Sequence, residues 1–418
     1  MSLVEKATAK VDISRLRQTF DEISPIGKTA EGLNRLAYSP SNKEALNLVV
    51  GWMKDAGLKV SNDPVFNVFG RRDGISPADT SVVSGSHIDS TTDGGRFDGT
   101  IGVLGAMECM RVISEMDIAH TKPIELAVFA AEESARFQAG TLGSRSMTGE
   151  ITKDDLLRLK DSDGITLWQA MERFGGHPDR IEECRTKLPQ IGAIIELHIE
   201  QGPVLERLGK TVAVVTGIVS VDRIIFKVKG EAIHSGGGTM AIRRDALAAA
   251  AEIVLFAEKL AWEHENIRLT AGDLKVFPGK LNTVPGEAIV GVDLRVAGNR
   301  DRFLNILMKG ASRICKGRKV TFETSSPYSV HPQKMSPHLV HTASLWARRL
   351  GLNYCEMPSF GGHDSQVIGK TAQAGMIFIP SKNGISHNWK EWSDFKDVAA
   401  CTRLLLATIL SSAKVQDR

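Results

Sequence analysis

A nearly continuous apolar run, IELAVFAA at residues 124–131, is followed directly by two glutamates, Glu132 and Glu133. An apolar run of this length without regular polar alternation is typical of a strand that is buried on both faces. Strands of this kind occur in parallel sheets that helices cover on both sides. The chain is therefore expected to fold around such a sheet, with the two carboxyl groups placed where one strand ends.

Helical and strand-like patterns alternate in the first part of the chain and again near its end. Residues 41–57 and 100–115 place apolar side chains at helical spacing, and residues 58–68 and 81–84 are strand-like. The alternation resumes after residue 329, with predicted elements at 339–350 (helix), 376–379 (strand) and 398–411 (helix). Strands that alternate with helices imply a mostly parallel sheet.

The middle of the chain has a different order of elements. Two strands are predicted within residues 211–228, and a helix, two strands, a helix and a strand follow at 244–263, 267–276, 288–296, 302–316 and 319–324. This order is typical of a compact ferredoxin-like unit. The predicted fold class is therefore α/β: a mostly parallel sheet domain of residues 1–210 and 328–418, interrupted by a smaller ferredoxin-like α+β domain of residues 211–327.

Composition excludes several classes of partner. Lys and Arg number 52 against 49 Asp and Glu, with no long run of like charge, which argues against a nucleic acid partner. Residues 1–20 lack the apolar core of a signal peptide, and no stretch approaches the ~18 apolar residues of a membrane span. The five cysteines are widely spaced and suit reduced thiols. We therefore expect a cytoplasmic protein with no membrane partner.

Polar clusters follow four of the predicted strands: GSHIDS with GGRFDG (85–90 and 94–99), Glu132 with Glu133, ELHIEQG (196–202) and GISH (384–387). Because functional side chains of parallel sheets lie at the C-terminal ends of strands, these clusters are expected to meet. Histidines and carboxylates are ligands for zinc, manganese, cobalt and nickel. Two such ions at ~3.5–4 Å require a bridging carboxylate. A carboxylate beside a ligand, such as Glu132 beside Glu133, can take a proton from water.

Each cluster alone also has an ordinary explanation. A single histidine at a strand end is more often structural than a ligand, a pair of glutamates is more often a solvated edge, and Gly94-Gly95 is typical of a turn. The presence of all four clusters in one chain, each after a strand, favours metal chemistry over these separate explanations.

Seven stretches between His87 and Trp392 together resemble one family of enzymes: GSHIDS with GGRFDG, AAEESARFQAGTLGSR, ELHIEQGPVLE, AIHSGG with RRDA, LNTVPG with VDLR, GGHDS and GISHNWKEWS. They are similar to the amidohydrolase branch of the di-zinc aminoacylase and carboxypeptidase superfamily. Within it, they resemble most the group of N-carbamoyl-L-amino acid hydrolases, allantoate amidohydrolases and β-ureidopropionases. The domain pattern matches almost the whole chain.

The resemblance implies two divalent metal ions per subunit (Zn²⁺, Mn²⁺, Co²⁺ or Ni²⁺) and a role for each matching residue. It implies that one ion is held by His87 and His198, the other by Glu133 and His387, and that Asp98 bridges both. Glu132 is implied to be the general base and acid, and Asp89 to orient His87. His198 is typical of the ureido-hydrolysing branch, because relatives that cleave peptides or acyl amino acids generally carry a carboxylate there.

The resemblance also implies that the inserted domain is both a lid and the interface of a homodimer. His234 corresponds to a residue that reaches the partner's active site and polarises the scissile carbonyl. The implied substrate-binding residues are Asn282 and Arg295, which would clamp the substrate carboxylate, with Gln201, Gly362 and His363 nearby. An ordinary salt bridge at a strand end is the alternative explanation of Arg295.

The chain departs from the family after His234, where Ser-Gly-Gly-Gly (235–238) replaces the usual Ala-Gly-Thr-Thr. This change touches the substrate side and leaves the metal set intact. The predicted function is metal-dependent cleavage of the ureido C–N bond of a small carboxylic acid, such as an N-carbamoyl-L-amino acid, allantoate or β-ureidopropionate, with release of ammonia. The alternatives are an aminoacylase or dipeptidase, and a non-catalytic binding protein that retains metal.

Overall fold

A computed structural model describes residues 1–415, and its contacts divide the chain into two units. The large unit consists of Met1–Thr216 and the chain from Lys334 on, and the small unit is Gly217–Gln333. Both boundaries of the small unit fall six residues later than those of the predicted 211–327 segment (217 against 211, 333 against 327). The last three residues of the predicted 328–418 segment lie outside the described residues.

The strands of residues 1–415 are β1 (Lys59–Asn62), β2 (Val68–Arg72), β3 (Ser81–His87), β4 (Ile124–Phe129), β5 (Ile191–Ile199), β6 (Val212–Ile218), β7 (Ser220–Lys229), β8 (Ile233–His234), β9 (Ile267–Phe277), β10 (Thr283–Val284), β11 (Glu287–Val296), β12 (Thr321–Val330), β13 (Gln333–Lys334), β14 (Tyr354–Ser359) and β15 (Gln373–Ile379).

The α-helices of the same residues are α1 (Leu3–Thr8), α2 (Ile13–Ile23), α3 (Pro40–Asp55), α4 (Thr100–Glu115), α5 (Leu142–Thr148), α6 (Lys153–Arg158), α7 (Leu167–Phe174), α8 (Val204–Arg207), α9 (Ala246–Trp262), α10 (Arg300–Gly317), α11 (Pro337–Arg349), α12 (Asp364–Ile368) and α13 (Phe395–Ser412). None of the helices within residues 1–415 is both long and apolar enough to cross a membrane.

The large unit is built on one sheet with the order β1-β2-β4-β3-β5-β15-β6-β13, and β14 also pairs with β6. The four central strands β4, β3, β5 and β15 are parallel neighbours. The outer pairs β1/β2, β2/β4 and β15/β6 are antiparallel. Since the central strands run the same way, their C-terminal ends meet at one edge of the sheet, where the loops that follow them converge.

The predicted strand at residues 124–131 forms the central strand β4, which is buried along its whole length. Its one charged residue, Glu125, is also buried. The carboxylate accepts from Arg71 Nη1 at 3.0 Å and from Lys187 Nζ at 2.6 Å. A buried carboxylate is tolerated when cations and hydrogen bonds compensate its lost hydration. Glu125 therefore occupies a core strand without disturbing it.

The small unit contains a four-stranded antiparallel sheet in the order β12-β7-β11-β9. Along the chain its elements follow as β7, α9, β9, β11, α10 and β12, which is the ferredoxin-like order expected from the sequence. Buried apolar side chains of α9 and α10 and of the sheet form its core. A two-residue ribbon of β8 and β10 extends the unit beside the β7 end at Lys229.

One strand is placed differently from the prediction. The sequence predicted two strands of the inserted domain within residues 211–228, but the first of them, β6, pairs antiparallel with β15 in the large sheet. Only the second, β7, belongs to the small sheet. The hydrophobic pattern of an apolar strand is the same whichever sheet the strand joins, because the pattern indicates burial and does not identify the partner strand.

Candidate metal centre

Side chains from five segments meet at the C-terminal edge of the parallel strands. His87 is the last residue of β3, and His198 is the second-last residue of β5. Glu132 and Glu133 follow β4, and His387 follows β15 after a short turn. Asp98 lies in the loop that leads into α4. The structure thus brings together all five residues for which the resemblance implies a metal-binding role.

His87, Asp98 and His198 form the first cluster, in which ligand atoms of the three buried residues lie within 4.8 Å of one another. Oδ1 of Asp98 is 3.1 Å from Nε2 of His198 and 3.7 Å from Nε2 of His87. A set of two imidazole nitrogens and one carboxylate oxygen suits zinc and related divalent ions.

Asp98 also belongs to a second cluster, with Glu133 and His387. Nε2 of His387 is 3.2 Å from Oδ2 of Asp98 and 3.4 Å from Oε1 of Glu133. The two oxygens of Asp98 therefore face different groups of ligands. This is the arrangement that a carboxylate adopts when it bridges two ions.

Backbone carbonyl groups orient the two buried histidines. Nδ1 of His87 lies 3.0 Å from the carbonyl oxygen of Asp89, and Nδ1 of His198 lies 2.9 Å from that of Ile199. Each Nδ1–H donates to its carbonyl, which leaves Nε2, the ring nitrogen on the Asp98 side, as the atom that can bind a metal in the neutral ring.

Asp89 thus orients His87 through its main-chain carbonyl, whereas the Asp89 carboxylate contacts the backbone of the glutamate pair. That carboxylate accepts from the backbone N–H groups of Glu132 and Glu133, at 3.3 and 3.0 Å, and lies 3.7 Å from Nδ1 of His87. Asp89 therefore links the histidine at the end of β3 to the glutamate pair after β4.

The tight approach of the Asp98 loop requires glycine at position 99. Gly99 has φ +60°, in the left-handed region that glycine adopts at little cost, and a β-carbon there would overlap the ring of His87. Its backbone N–H also faces Nε2 of His198 at 3.2 Å. The glycine lets α4 begin directly behind the two imidazoles.

Burial and like charges raise the pKa of the surrounding acids. Burial, with the charge of Asp98, raises the pKa of Glu133 to about 8, and burial with Glu133 raises the pKa of Glu132 well above its usual range. Burial also raises the pKa of Asp89 to about 7. Several carboxyl groups in one low-dielectric site ionise more readily when positive charge is nearby, and bound divalent cations would supply that charge.

The pKa values of the three histidines shift in different directions. Burial lowers the pKa of His87 to about 4, which keeps this ring neutral, the form that binds metal. Burial lowers the pKa of His198 too, but the hydrogen bond with Asp98 outweighs it and sets the pKa at about 9. The hydrogen bond with Asp98 likewise raises the pKa of His387 to about 9.

Glu132 stands next to the clusters without belonging to either, among the described residues. Its Oε2 is 3.7 Å from Nε2 of His87, and its side chain is 12% exposed. A carboxylate that borders a metal site and is free of ligand duty is placed to exchange protons with water or substrate.

Gln201, Gly362 and His363 are the implied substrate residues of the large unit. Gln201 has a left-handed φ of +58°, and its Nε2 donates to Oδ2 of Asp98 at 2.8 Å. His363 is only 2% exposed, and its ring centroid lies 4.5 Å from that of His198. Gly362 precedes it. Gln201 therefore contacts the shared carboxylate of the clusters directly, whereas His363 packs against the ring of His198.

Glu196 lies beside the two packed histidines, His198 and His363. Glu196, His198 and His363 also place ligand atoms within 4.8 Å of one another. However, the Glu196 carboxylate already accepts from Ser86 Oγ at 2.8 Å and from the Ser365 N–H at 3.0 Å. These bonds make Glu196 a structural acceptor that ties β3 and α12 to β5.

The remaining implied residues lie in the small unit. His234 is in β8, where it pairs with Thr283 of β10, and the carbonyl of Asn282 accepts from the Ser235 N–H at 2.9 Å. Arg295 is near the end of β11, where Nε donates to Asp293 at 2.9 Å. His234 and Asn282 are therefore neighbours, and Arg295 is separate from them.

Sequence reasoning missed two residues that support the centre. Glu391 lies in the GISHNWKEWS stretch but received no role, although its carboxylate accepts from the backbone N–H groups of Phe97 and Asp98. Arg35 is buried and donates to the carbonyl of Ile88 and to Thr100 Oγ1, which lie at the two ends of the loop that carries Asp98. For Arg35 no sequence pattern pointed to the site.

Comparison with known proteins identifies related chains over nearly the whole length. The model of peptidase family M20/M25/M40 matches residues 78–411. The chain is 36% identical to an N-carbamoyl-L-amino acid amidohydrolase of Geobacillus stearothermophilus, over 96% of this chain and 98% of that protein. It is 32% identical to an allantoate amidohydrolase of Bacillus subtilis, over 92% of this chain and 93% of that protein.

Solved structures agree with these relationships. The crystal structure of an amidase of the hydantoinase/carbamoylase family from Burkholderia multivorans superposes with a TM-score of 0.87 at 32% identity. The match covers 97% of this chain and 98% of that one.

The raised pKa values predict how metal binding depends on pH. His198 and His387, each with a pKa of about 9, carry protons in the metal-free protein at neutral pH and must lose them to become ligands. Each displaced proton makes the apparent affinity rise by about tenfold per pH unit. Between about pH 6 and 8 we therefore expect a rise of about tenfold per unit for the ion that takes His198, and a steeper rise for the ion that takes both His387 and Glu133, whose pKa is about 8.

Competition with a chromophoric chelator, corrected for the chelator's own titration, measures this slope. Calorimetry in buffers of different ionisation enthalpy counts the released protons independently. An affinity that does not change over this pH range would contradict the assignment of these two histidines as ligands.

Proposed function

The chain belongs to peptidase family M20/M25/M40, and from that premise we propose that it is a metal-dependent amidohydrolase that cleaves the ureido C–N bond of a small carboxylic acid and releases ammonia. Relatives with 32–36% identity over more than nine-tenths of their length are named for N-carbamoyl-L-amino acids and for allantoate. Both substrate classes combine a ureido group with a carboxylate. The structural observation that carries the proposal is Asp98, shared by two ligand clusters beside the unligated Glu132.

The residues fit a pair of divalent ions. His87 and His198 would hold one ion, Glu133 and His387 the other, and Asp98 would lie between them. The mixture of imidazole and carboxylate donors suits zinc, manganese, cobalt and nickel. When bound, the two ions supply Lewis acidity and lower the pKa of water.

Glu132 moves the proton in this reaction. Its carboxylate, next to His87, accepts the proton of the attacking water and then delivers it to the nitrogen that leaves as the C–N bond breaks. The ureido carbon gains the water oxygen, and complete hydrolysis gives ammonia, carbon dioxide and the free amino acid. Asp89 fixes the position of Glu132 through the backbone N–H groups of the glutamate pair.

His234 is arranged to donate a hydrogen bond to the substrate carbonyl. The backbone N–H of Gly236 donates to Nδ1 of His234 at 3.2 Å. A neutral ring that accepts at Nδ1 carries its proton on Nε2, which is then available to a developing oxyanion. The donor residue, Gly236, is also a glycine in the family's Ala-Gly-Thr-Thr, so the proposed hydrogen bond comes from a position at which the chain does not depart from the family.

The implied substrate residues of one small unit cannot all reach one small molecule. His234 and Asn282 lie beyond the Glu287 end of β11, while Arg295 is eight residues further along that strand. Eight residues of a strand span about 27 Å, several times the length of a ureido acid. The proposal is therefore that the site takes Arg295 from one chain and His234 with Asn282 from the other.

Exposed apolar surface of the small unit supports a homodimer. Strand β9 is at one end of the four-stranded sheet, with Leu274 and Phe277 exposed, and helix α9 exposes Leu255 and Trp262. An edge strand with large exposed apolar side chains favours pairing with a second chain. We assign to the small unit, at residues 217–333, the roles of lid and dimerisation domain.

The five cysteines, at positions 109, 184, 315, 355 and 401, are all free. Free thiols suit a reducing compartment, and we place the protein in the cytoplasm on this ground.

Substrate comparison tests the proposed reaction against its alternatives. We expect ammonia release from N-carbamoyl-L-amino acids or allantoate, and at least about 100-fold lower kcat/KM on N-acetyl amino acids and dipeptides, because the site is built for the ureido group. The measurement is a panel assay with protein loaded with zinc, manganese, cobalt or nickel. Faster turnover of acetyl or dipeptide substrates would identify an aminoacylase or dipeptidase, and a metal-loaded protein inert on every substrate would identify a binding protein.

Replacement of Glu132 by Gln tests the base. The variant keeps the shape of the side chain but cannot accept a proton, so kcat should fall by about 10²–10⁴-fold. Metal content, measured by elemental analysis, should stay as in the wild type, because Glu133 and not Glu132 is a ligand. Near-normal turnover would show that another residue moves the proton.

Mixed dimers test the shared site. His234→Ala and Arg295→Ala should each be inactive, whereas a heterodimer of the two variants rebuilds one intact site and should recover about half of the wild-type activity per dimer. Arg313→Ala, an exposed arginine on α10, is the matched control and should keep full activity. Purified heterodimers without activity, or a fully active monomer, would exclude a site built from two chains.

A further inference from the structure

Glu391 has no part in the proposed reaction, yet it is 2% exposed and lies against both ligand clusters. We propose that Glu391 is a positioning residue that holds Asp98 and His387 at the separation required by a pair of ions. The inference rests on the proposed two-metal function and adds a residue that sets how tightly the second ion binds.

Three hydrogen bonds define the position of Glu391. Oε1 accepts from the backbone N–H of Phe97 at 2.7 Å and of Asp98 at 3.0 Å. Oε2 accepts from the hydroxyl of Ser386 at 3.1 Å, and that hydroxyl is also 2.9 Å from Oδ2 of Asp98. One carboxylate thus contacts the residue that carries the shared ligand and the residue that precedes His387.

The Asp98 loop closes tightly around this carboxylate. A β-carbon at Gly95 would overlap the carboxylate of Glu391, so only glycine allows the loop to pass. Next to it, the ring of Trp392 packs on that of Phe97 with centroids 5.3 Å apart. This aromatic contact holds the Asp98 loop against the segment that carries Glu391. Glu391 then orients the backbone N–H groups of Phe97 and Asp98, and with them the Asp98 side chain.

The two clusters depend on Glu391 to different degrees. His87 and His198 belong to central strands and are held by backbone carbonyls. His387 lies in a loop, has a left-handed φ of +54° and is 49% exposed at its side chain. Ser386 joins this loop to Asp98 in two ways: its hydroxyl is 2.9 Å from Oδ2, and its contact with Glu391 links the loop to the backbone N–H groups of Phe97 and Asp98. Loss of Glu391 should therefore weaken the cluster of Asp98, Glu133 and His387 more than that of His87 and His198.

Glu391→Gln is the direct test. The amide keeps the size of the side chain but cannot offer two acceptor oxygens to its three donors. Partners that orient metal ligands are typically worth 10–100-fold in metal affinity. We expect the variant to bind one ion as the wild type does and the second ion about 10–100-fold more weakly. Calorimetric titration and elemental analysis measure this without reference to activity, and kcat should recover as the metal concentration is raised.

Two further variants separate positioning from general destabilisation. Gly95→Ala leaves Glu391 chemically intact but displaces its carboxylate, so it should reproduce the selective loss of the second ion. Asp63→Asn is the matched control: its carboxylate accepts from the backbone N–H groups of Val65 and Asn67, in a turn that contributes no metal ligand. It should bind both ions with wild-type affinity even if its thermal midpoint falls.

The outcomes distinguish this inference from the function on which it rests. A wild-type protein that binds fewer than two ions would overturn the proposed function. Two ions in the wild type and an undiminished second ion in Glu391→Gln would overturn only the role of Glu391. Equal loss of both ions in Glu391→Gln, without recovery at high metal concentration, would show a merely structural role and also overturn it.

Discussion

The carboxylate of Asp98 has its two oxygens directed at imidazoles that belong to different segments, and the surrounding structure depends on this placement. Oδ1 faces His198 and His87, and Oδ2 faces His387. This is possible because parallel strands deliver their C-terminal ends to one edge of the sheet. Glycines at positions 95 and 99 then allow the Asp98 loop to approach Glu391 and His87 without steric overlap.

Electrostatics makes this arrangement costly for the protein alone. Asp89, Asp98, Glu132 and Glu133 are gathered in a buried region, and burial raises the pKa of three of them. Burial also opposes ionisation of Asp98, but its bonds to His198 and His387 outweigh this and hold its pKa well below the usual range. Buried charges of one sign are stabilised by bound cations. The close spacing of these buried acids therefore also favours the binding of metal ions.

The two units divide the work of the proposed reaction. The large unit holds the ligand clusters and Glu132 at the ends of its parallel strands and in the loops that follow them, where small displacements would be costly to catalysis. The small unit carries His234 at the end of β8, directly before the glycine-rich loop, and Arg295 near the far end of β11. Since these residues are too far apart to meet within one small unit, the proposed function links recognition of the substrate to assembly of a dimer. In that proposal, a monomer keeps the metal-binding residues but lacks a complete substrate site.

The amino-acid sequence by itself was sufficient to predict the sheet domain, the ferredoxin-like insert and the residues gathered at the strand ends. Periodicity reports burial and family motifs report chemistry, and both are local properties of the chain. Partners that are distant in sequence leave no such local signal. Only the tertiary structure placed β6 in the large sheet, directed each oxygen of Asp98, and assigned the Asp89 carboxylate to the glutamate pair. The bond from Phe97 to Glu391 joins residues 294 positions apart, and it exists only because the folded sheet brings those two loops to the same edge.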